Sequence, residues 1–280
     1  MIRISGSIVL YNTPIEQLNK LIHSFGIKLG HMQIYAVDNS PTALLRPYCE
    51  RANLVYIHTP SNPGFGAGHN IAVDLALKAG SQYHFIINPD IYFNTDVVSP
   101  MVAFMALNPQ VGMIMPEILN DNGTVQYLPK LLPNPFWIIR RKLHKFDIFY
   151  DRFIAKYELR EIPRNKIYEA PILSGCFTLL NLSAIKEIGC YDERFFMYFE
   201  DWDLSRRMNE KYKTIYFPSV SVYHGYQAGA NKNKRLFKIF LNSAISYFSK
   251  WGWIDKRRKI INNKVLNQDL DQYQRDESLN

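Results

Sequence analysis

Apolar and polar positions alternate along the first 90 residues in a strand–helix rhythm. Ile4 to Leu10 is a nearly continuous apolar run that stops at Tyr11-Asn12, the pattern of a strand buried on both faces. Thr13-Pro14-Ile15-Glu16 then reads as a capping box with proline at the first helical position. Ile15, Leu18, Leu21, Ile22 and Phe25 follow at helical spacing until Gly26. Gln33 to Val37 predicts a second strand that runs into Asp38-Asn39-Ser40-Pro41. Asn53 to His58 predicts a third, leading through a glycine-rich loop into a helix from Asn70 to Lys78. Tyr83 to Ile87 predicts a fourth, ending at Asn88-Pro89-Asp90. This grammar implies an α/β domain with a Rossmann-like, mostly parallel sheet flanked by helices. Ligands of such sheets bind outside the carboxyl ends of the strands. Tyr11-Asn12, Asp38-Asn39, the 60–70 loop and Asn88-Pro89-Asp90 all fall at that edge.

Pro129 to Tyr168 breaks the rhythm with four prolines, several aromatics and the cluster Arg140-Arg141-Lys142, and predicts loops with one or two amphipathic helices. The α/β grammar resumes at Ile172. A helical segment near Ser183 to Ile188 precedes the aromatic and acidic run Phe195 to Asp203, whose helix continues to Tyr212. Thr214–Phe217 and Ser219–Tyr223 are two short β-like runs, the second ending at His224.

Charge changes the picture once it is located. The net charge of +8 over 280 residues is concentrated. Residues 1–128 carry −2 and 170–230 carry −1, against +5 for 129–169 and +9 for 231–264 (ten basic residues, one acidic); 265–280 carry −3. A nucleic-acid enzyme spreads basic residues along a groove, whereas this segregation favours a local anionic partner such as a membrane surface, with no nucleic acid. The rival is a basic nucleic-acid-binding protein, which leaves the carboxylates and the glycine-rich loop without a task. Three scattered cysteines exclude a disulfide framework, no apolar run reaches spanning length, and the N-terminus lacks a signal-peptide pattern. The expectation is a cytoplasmic protein, peripheral at the inner face of the cell membrane.

Three motifs carry candidate chemistry. The loop Asn62-Pro63-Gly64-Phe65-Gly66-Ala67-Gly68-His69-Asn70 is placed to turn backbone N–H groups toward a phosphate, or simply to turn tightly. Asn88-Pro89-Asp90 is able to hold a divalent ion, or to make an Asx-Pro turn. Glu200-Asp201-x-Asp203 opens a helix: three carboxylates there complement the helix dipole, and crowding against aromatics raises carboxyl pKa values toward those of a working base.

Together these residues resemble the inverting GT-A glycosyltransferases of family 2, especially rhamnosyltransferase-like members that build bacterial O-antigen and related polysaccharides. The resemblance is an ordered series over residues 4 to about 230. It runs through Ile8-Val9-Leu10-Tyr11-Asn12, Val37-Asp38-Asn39-Ser40, the Asn62–Asn70 loop, Asn88-Pro89-Asp90 and Ser174-Gly175-Cys176-Phe177. It closes with Gly189-Cys190-Tyr191-Asp192-Glu193-x-Phe195-Phe196-Met197-Tyr198-x-Glu200-Asp201-x-Asp203-Leu204 and His224.

The resemblance implies that residues 1–230 form a GT-A domain, with 129–169 inserted on the acceptor side. Tyr11, Asn12 and Asp38 then hold the nucleotide base, and Asn62, Gly66 and Asn70 lie along the sugar-diphosphate. Asn88 and Asp90 occupy the family's Asp-x-Asp position, His224 completes an Mg²⁺ or Mn²⁺ site with Asp90, and Asp201, beside Glu200, is the catalytic base. Many relatives carry Asp where this chain has Asn88, so the donor's diphosphate is expected to complete the metal site; a degenerate member that binds without catalysis is the other consequence. The implied reaction moves L-rhamnose from dTDP-rhamnose to a lipid-linked saccharide; UDP-galactofuranose, UDP-galactose and UDP-glucose are the alternative donors.

The segment 231–264 mixes Leu236, Phe237, Ile239, Phe240, Leu241, Tyr247, Phe248, Trp251 and Trp253 with Lys232, Lys234, Arg235, Lys238, Lys250 and Lys256-Arg257-Arg258-Lys259. This is the composition of an interfacial helix on anionic lipid, and equally of a terminal helix packed on the domain. The polar residues 265–280 read as a disordered tail. Every residue assigned to the donor precedes Ala230, so a chain cut there is expected to keep donor binding.

Overall fold

The structure, a computed structural model, describes residues 2–26, 32–142, 148–225 and 234–273. Lys232, residues 143–147 of the basic insertion and residues 274–280 of the tail lie outside the described residues. The strands are β1 (Ile4–Leu10), β2 (Met32–Asp38), β3 (Val55–His58), β4 (Tyr83–Ile87), β5 (Ile91–Tyr92), β6 (Val111–Leu119), β7 (Tyr168–Glu169), β8 (Phe177–Asn181) and β9 (Lys213–His224). The helices are α1 (Ile15–Phe25), α2 (Arg46–Arg51), α3 (Phe65–Lys78), α4 (Val98–Leu107), α5 (Pro135–Lys142), α6 (Tyr150–Tyr157), α7 (Leu182–Ile188), α8 (Glu200–Met208), α9 (Lys234–Trp251) and α10 (Lys256–Leu266).

One nine-stranded sheet runs in the order β3-β2-β1-β4-β8-β6-β9-β5, with β7 on β9. It is mixed and mostly parallel: β3, β2, β1 and β4 pair parallel, as do β6 and β9, while β8 lies antiparallel between the two groups. Ile8, Leu10, Val37, Phe85 and Ile86 are buried at the centre. Burial on both faces is what their near-continuous apolar runs encode. The same core hides a polar chain in which Ser5 Oγ meets His84 Nδ1 at 2.8 Å. Ser7 Oγ then joins His84 Nε2 at 2.8 Å and His69 Nδ1 at 2.7 Å. Burial holds both imidazoles below the usual histidine range, so they sit neutral inside the sheet.

Several expectations are corrected. Thr13 does not cap α1; Pro14 occupies the N-cap position, and Thr13 Oγ1 accepts instead from Tyr11 N–H. The helix expected from Asn70 starts five residues earlier, so the glycine-rich segment is its first turn rather than a free loop. Close packing explains the glycines: a Cβ on Gly66 would lie 2.8 Å from Tyr191 Cβ. One on Gly64, whose φ is +106°, would lie 2.4 Å from Phe196 O. The two β-like runs near residue 217 form one strand, β9, and its register to β6 slips between Phe217 and Ser221 around Pro218, which has no N–H for the ladder. The tail is ordered as far as residue 273: Val265 and Tyr273 are buried in the main core, and the Tyr273 hydroxyl bonds Glu169 and Lys213. Its polar composition hid two apolar anchors. No helix among the described residues is long and apolar enough to cross a membrane.

Candidate active site

A crevice of about 550 Å³ opens at the carboxyl ends of the central strands. One wall carries Asn88 and Asp90, which follow β4, with His224 from the end of β9. The other carries Glu200 and Asp201 from the first turn of α8. Gly175 and Cys176 lie between them, with Phe65, Met197 and Tyr198 also lining it. β5 pairs antiparallel with β9 so that Ile91 faces His224, and this sets the histidine beside Asp90 although 136 residues separate it from Asn88.

The histidine's tautomer follows from its neighbours. The Gln126 amide nitrogen donates to His224 O and to Asn120 Oδ1, both at 2.9 Å, so its Oε1 is the atom that meets His224 Nδ1 at 3.1 Å. Nδ1 therefore carries a proton, and Nε2 faces the Asp90 carboxylate at 3.3 Å. An imidazole nitrogen and a carboxylate at that distance are joined either by a proton on Nε2 or by a cation held by both. Asn88 Nδ2 also sits 3.3 Å from Nε2, while its Oδ1 is buried without a partner. Turning that amide over gives a third donor atom, oxygen, on the same point. An amide oxygen, a carboxylate and an imidazole fit a divalent ion that takes its remaining ligands from a diphosphate.

Three carboxylates open α8, and their surroundings divide them. Asp203 is fully buried and pairs with Arg207 Nε at 2.8 Å and with Lys250 Nζ at 2.7 Å, a lysine it shares with Asp192, while the Trp251 indole N–H donates to it at 2.8 Å. Glu200 and Asp201 have no ion pair among the described residues. Asp201 accepts from Gly175 N–H at 3.3 Å and Trp202 N–H at 2.9 Å, whereas Glu200 Oε2 is buried with no partner. Burial pushes the Asp201 carboxyl up to about 6, against the opposing pull of those two amides and Lys130. Burial, reinforced by the Asp201 charge, pushes Glu200 well above the carboxylate range. Burial thus raises both carboxyls, and the charge of one opposes ionisation of the other, so the pair disfavours carrying two negative charges at once.

Lys130 was not marked by the sequence, where it looks like one more surface cation of a basic stretch. It is 8% exposed, with Nζ donating to Leu128 O at 2.9 Å and Tyr127 O at 3.3 Å. Burial first, then Arg141, lowers its pKa to about 8. The backbone entering α8 was equally hidden: Tyr198 and Phe199 have φ of +70° and +67°, a strained pair for aromatic residues. Phe196 O accepting from Phe65 N–H and Met197 O accepting from Ser243 Oγ hold that loop from both sides.

The other sequence-derived residues lie apart from this crevice. Tyr11 is half exposed and Asn12, at φ +48°, donates its N–H to Ser40 Oγ at 2.8 Å; both stand at the open edge beyond β1. Asp38 has no exposed surface, its oxygens accepting from Ser40 N–H at 2.9 Å and the Tyr56 hydroxyl at 2.7 Å, so in this conformation it braces the edge rather than facing it. Asn62 turns the chain at φ +48°. Gly66 and Asn70 do not line the crevice: Gly66 underlies Tyr191. The Asn70 amide accepts from Tyr191 N–H and donates to Tyr191 O and Glu193. Their visible work is to hold the 191–196 segment that leads to α8.

Comparison with known proteins bears on the family and the fold. The description of glycosyl transferase family 2 matches residues 7–189. An N-acetylglucosaminyl-diphospho-decaprenol L-rhamnosyltransferase of Mycobacterium tuberculosis is 27% identical over 201 residues. That match covers 68% of this chain and 63% of the relative, so the chain spans somewhat under two thirds of it. Rhamnosyltransferase WbbL of Escherichia coli is 23% identical over 265 residues, covering 89% of this chain and 91% of WbbL. Among solved structures, GalNAc-T7 with UDP, GalNAc and Mn²⁺ superposes with a TM-score of 0.59 at 16% identity, over 87% of this chain and 48% of that one. S. aureus TarS residues 1–349 with UDP gives 0.56 at 13%, over 95% and 71%. At those identities the structures speak for the fold alone, and it is the GT-A fold.

Proposed function

This chain belongs to glycosyl transferase family 2, and from that premise we propose that it is an inverting transferase carrying L-rhamnose from dTDP-rhamnose to a lipid-linked saccharide in cell-surface polysaccharide synthesis. The two rhamnosyltransferases among its relatives support the donor, and the diphospho-decaprenol substrate in the name of one supports the acceptor class. The observation that carries the chemistry is the division of α8: Asp203 is paired with Arg207 and Lys250, whereas Asp201 makes no ion pair among the described residues and lines the crevice with Asp90 and His224.

Asp201 takes the proton of the acceptor hydroxyl as its oxygen bonds to the anomeric carbon. The bond from that carbon to the diphosphate breaks on the opposite face, and the nucleoside diphosphate keeps the electron pair, so the centre inverts in one displacement. Asp90, His224 and Asn88 would hold Mg²⁺ or Mn²⁺, which when bound offsets charge on the diphosphate. Tyr11 and Asn12 receive the base at the edge that Asp38 braces. Incubation with dTDP-rhamnose, UDP-glucose, UDP-galactose and UDP-galactofuranose, with nucleoside diphosphate release measured, tests the reading. Release from none of them in the presence of lipid-linked saccharides would overturn it.

Asp90→Ala and His224→Ala are each expected to weaken Mg²⁺- or Mn²⁺-dependent nucleoside diphosphate binding by roughly tenfold or more, and EDTA to abolish turnover. Calorimetry with and without the ion checks this, and full activity in EDTA would remove the metal role.

The pH profile reports Asp201. A raised carboxyl pKa means activity lost as pH falls through about 6, where the base takes up a proton before the substrate arrives. The Lys130 charge holds that value down. Lys130→Met is therefore expected to move the acidic limb to higher pH, whereas Lys130→Arg leaves it in place. Identical profiles for all three proteins would assign Lys130 to packing alone.

We also place this chain at an anionic membrane surface. α9 has two apolar faces: Ala244, Tyr247 and Phe248 are buried against Phe195, Phe199 and Ile138. Phe237, Leu241 and Ile245 form an exposed stripe one turn apart, near the exposed cations Lys234 and Lys238. The buried face accounts for the packed reading and the stripe for the interfacial one. Replacing the stripe residues with serine is expected to reduce cosedimentation with anionic liposomes; equal pelleting would sink the idea.

A further inference from the structure

The basic insertion contains a second cavity, of about 380 Å³, that neither the metal wall nor the base wall shares. Its floor is aromatic. Phe153 and Tyr157, one turn apart on α6, stack with their rings 5.8 Å apart and 3° from parallel, and the Trp137 indole of α5 stands edge-on to both at 5.7 and 5.4 Å. Its rim is cationic. Arg140 lies 4.3 Å over the Phe153 ring, while Arg152 and Lys156, also one turn apart on α6, are exposed and make no ion pair among the described residues. Tyr157 itself is only 1% exposed, with the Arg141 guanidinium 5.5 Å over its ring.

Arg140 is engaged by the fold, over Phe153 and donating to Phe149 O at 3.3 Å, whereas Arg152 and Lys156 place two like charges one turn apart at the rim with no ion pair among the described residues to offset their repulsion. A bare anion would use the rim and ignore the floor, and a neutral apolar group would do the reverse. Exposed apolar side chains accompany the cavity: Phe149, which lines it, is 67% exposed, Ile148 beside it in the chain 90%, and Phe136 and Ile139 of α5 65% and 55%. The ligand class that satisfies all three features is a phosphate ester on a hydrocarbon chain, with the phosphate on guanidinium and ammonium groups and the first carbons over the rings.

The cavity is also coupled to the reaction site through a short path. Tyr157 O accepts from Leu131 N–H at 2.9 Å, and the next residue, Lys130, bonds Ile172 in both directions, two residues before the Ser174-Gly175 segment that supports Asp201. A ligand seated at Trp137–Tyr157 thus bears on a backbone continuous with the segment that supports Asp201.

We propose that the Trp137–Arg140–Arg152–Phe153–Lys156–Tyr157 cavity is the seat of the lipid phosphate of the acceptor. This rests on the reading that the acceptor is lipid-linked, and it assigns the position that sets that specificity. The probe is farnesyl diphosphate, a soluble phosphate ester of a branched hydrocarbon, titrated calorimetrically into the full chain, with inorganic pyrophosphate and farnesol as separate arms. Farnesyl diphosphate is expected to bind at least roughly tenfold more tightly than either fragment, and Arg152→Glu with Lys156→Glu to remove that binding while leaving dTDP binding unchanged. Arg152→Gln with Lys156→Gln should give an intermediate loss. Pyrophosphate binding as tightly as farnesyl diphosphate would reduce the cavity to an anion site and overturn the proposal, as would wild-type affinity in the charge-reversed variant or no binding by the parent chain. The dTDP arm separates the two readings: its failure with farnesyl diphosphate still bound strikes the transferase assignment and leaves the cavity standing.

Discussion

Asp201→Asn should lower turnover by roughly 10²-fold or more while nucleoside diphosphate affinity stays within a few-fold. Asparagine keeps the shape of the side chain and an oxygen for the Gly175 and Trp202 amides, so the first turn of α8 is preserved. What it lacks is a lone pair basic enough to take a proton from an alcohol. The neighbouring carboxyl provides the control. Glu200 is buried, its Oε2 has no partner and burial favours its neutral form, so the neutral isostere in Glu200→Gln should cost less than about tenfold. Initial rates at saturating donor, with dTDP affinity by calorimetry, separate the two. Near-wild-type turnover in Asp201→Asn with a collapse in Glu200→Gln would exchange their roles.

The order of severity was readable in part from the chain alone, because the acids stand side by side at the start of a helix. What the sequence could not supply is how they differ. Asp203 and Asp201 are two residues apart, yet Asp203 is neutralised by Lys250 and Trp251, nearly fifty residues downstream. The same limit explains the other gaps. β1 and β4 were legible to the residue, because a central parallel strand writes its burial into consecutive positions. The start of α3 was not, since its glycines answer to Tyr191 and Phe196, more than 120 residues away, and only their local turn-forming habit shows in the sequence. Asn88, Asp90 and His224 were named as one group by resemblance. The reason for their meeting, the β5–β9 pairing and the Gln126 clamp on the imidazole, is long-range. Lys130 was missed altogether, because a lysine's burial leaves no trace in its neighbours' periodicity.

The wiring of α9 to α8 argues against the expectation that a chain cut after Ala230 keeps its donor site. Removing α9 uncovers Phe195 and Phe199 and leaves a fully buried Asp203 with Arg207 as its remaining partner. A milder pair of changes isolates the electrostatic part. Lys250→Met with Trp251→Phe conserves most of the apolar bulk but withdraws an ammonium at 2.7 Å and an indole N–H at 2.8 Å from the Asp203 carboxylate. Breaking a buried charge pair by deleting one side costs about 3–5 kcal/mol. At roughly 2–4 °C per kcal/mol for a chain of this size, the melting temperature should fall by about 6–20 °C. Asp203→Asn introduced on top of the pair should restore part of that loss, because the uncompensated charge is then gone; a merely steric defect would not respond. Turnover should fall together with stability, since the strained Tyr198–Phe199 turn is held by Ser243 of the same helix and delivers Asp201 to the crevice. A melting temperature within about 2 °C of the parent's would show that α9 is a covering and not a brace.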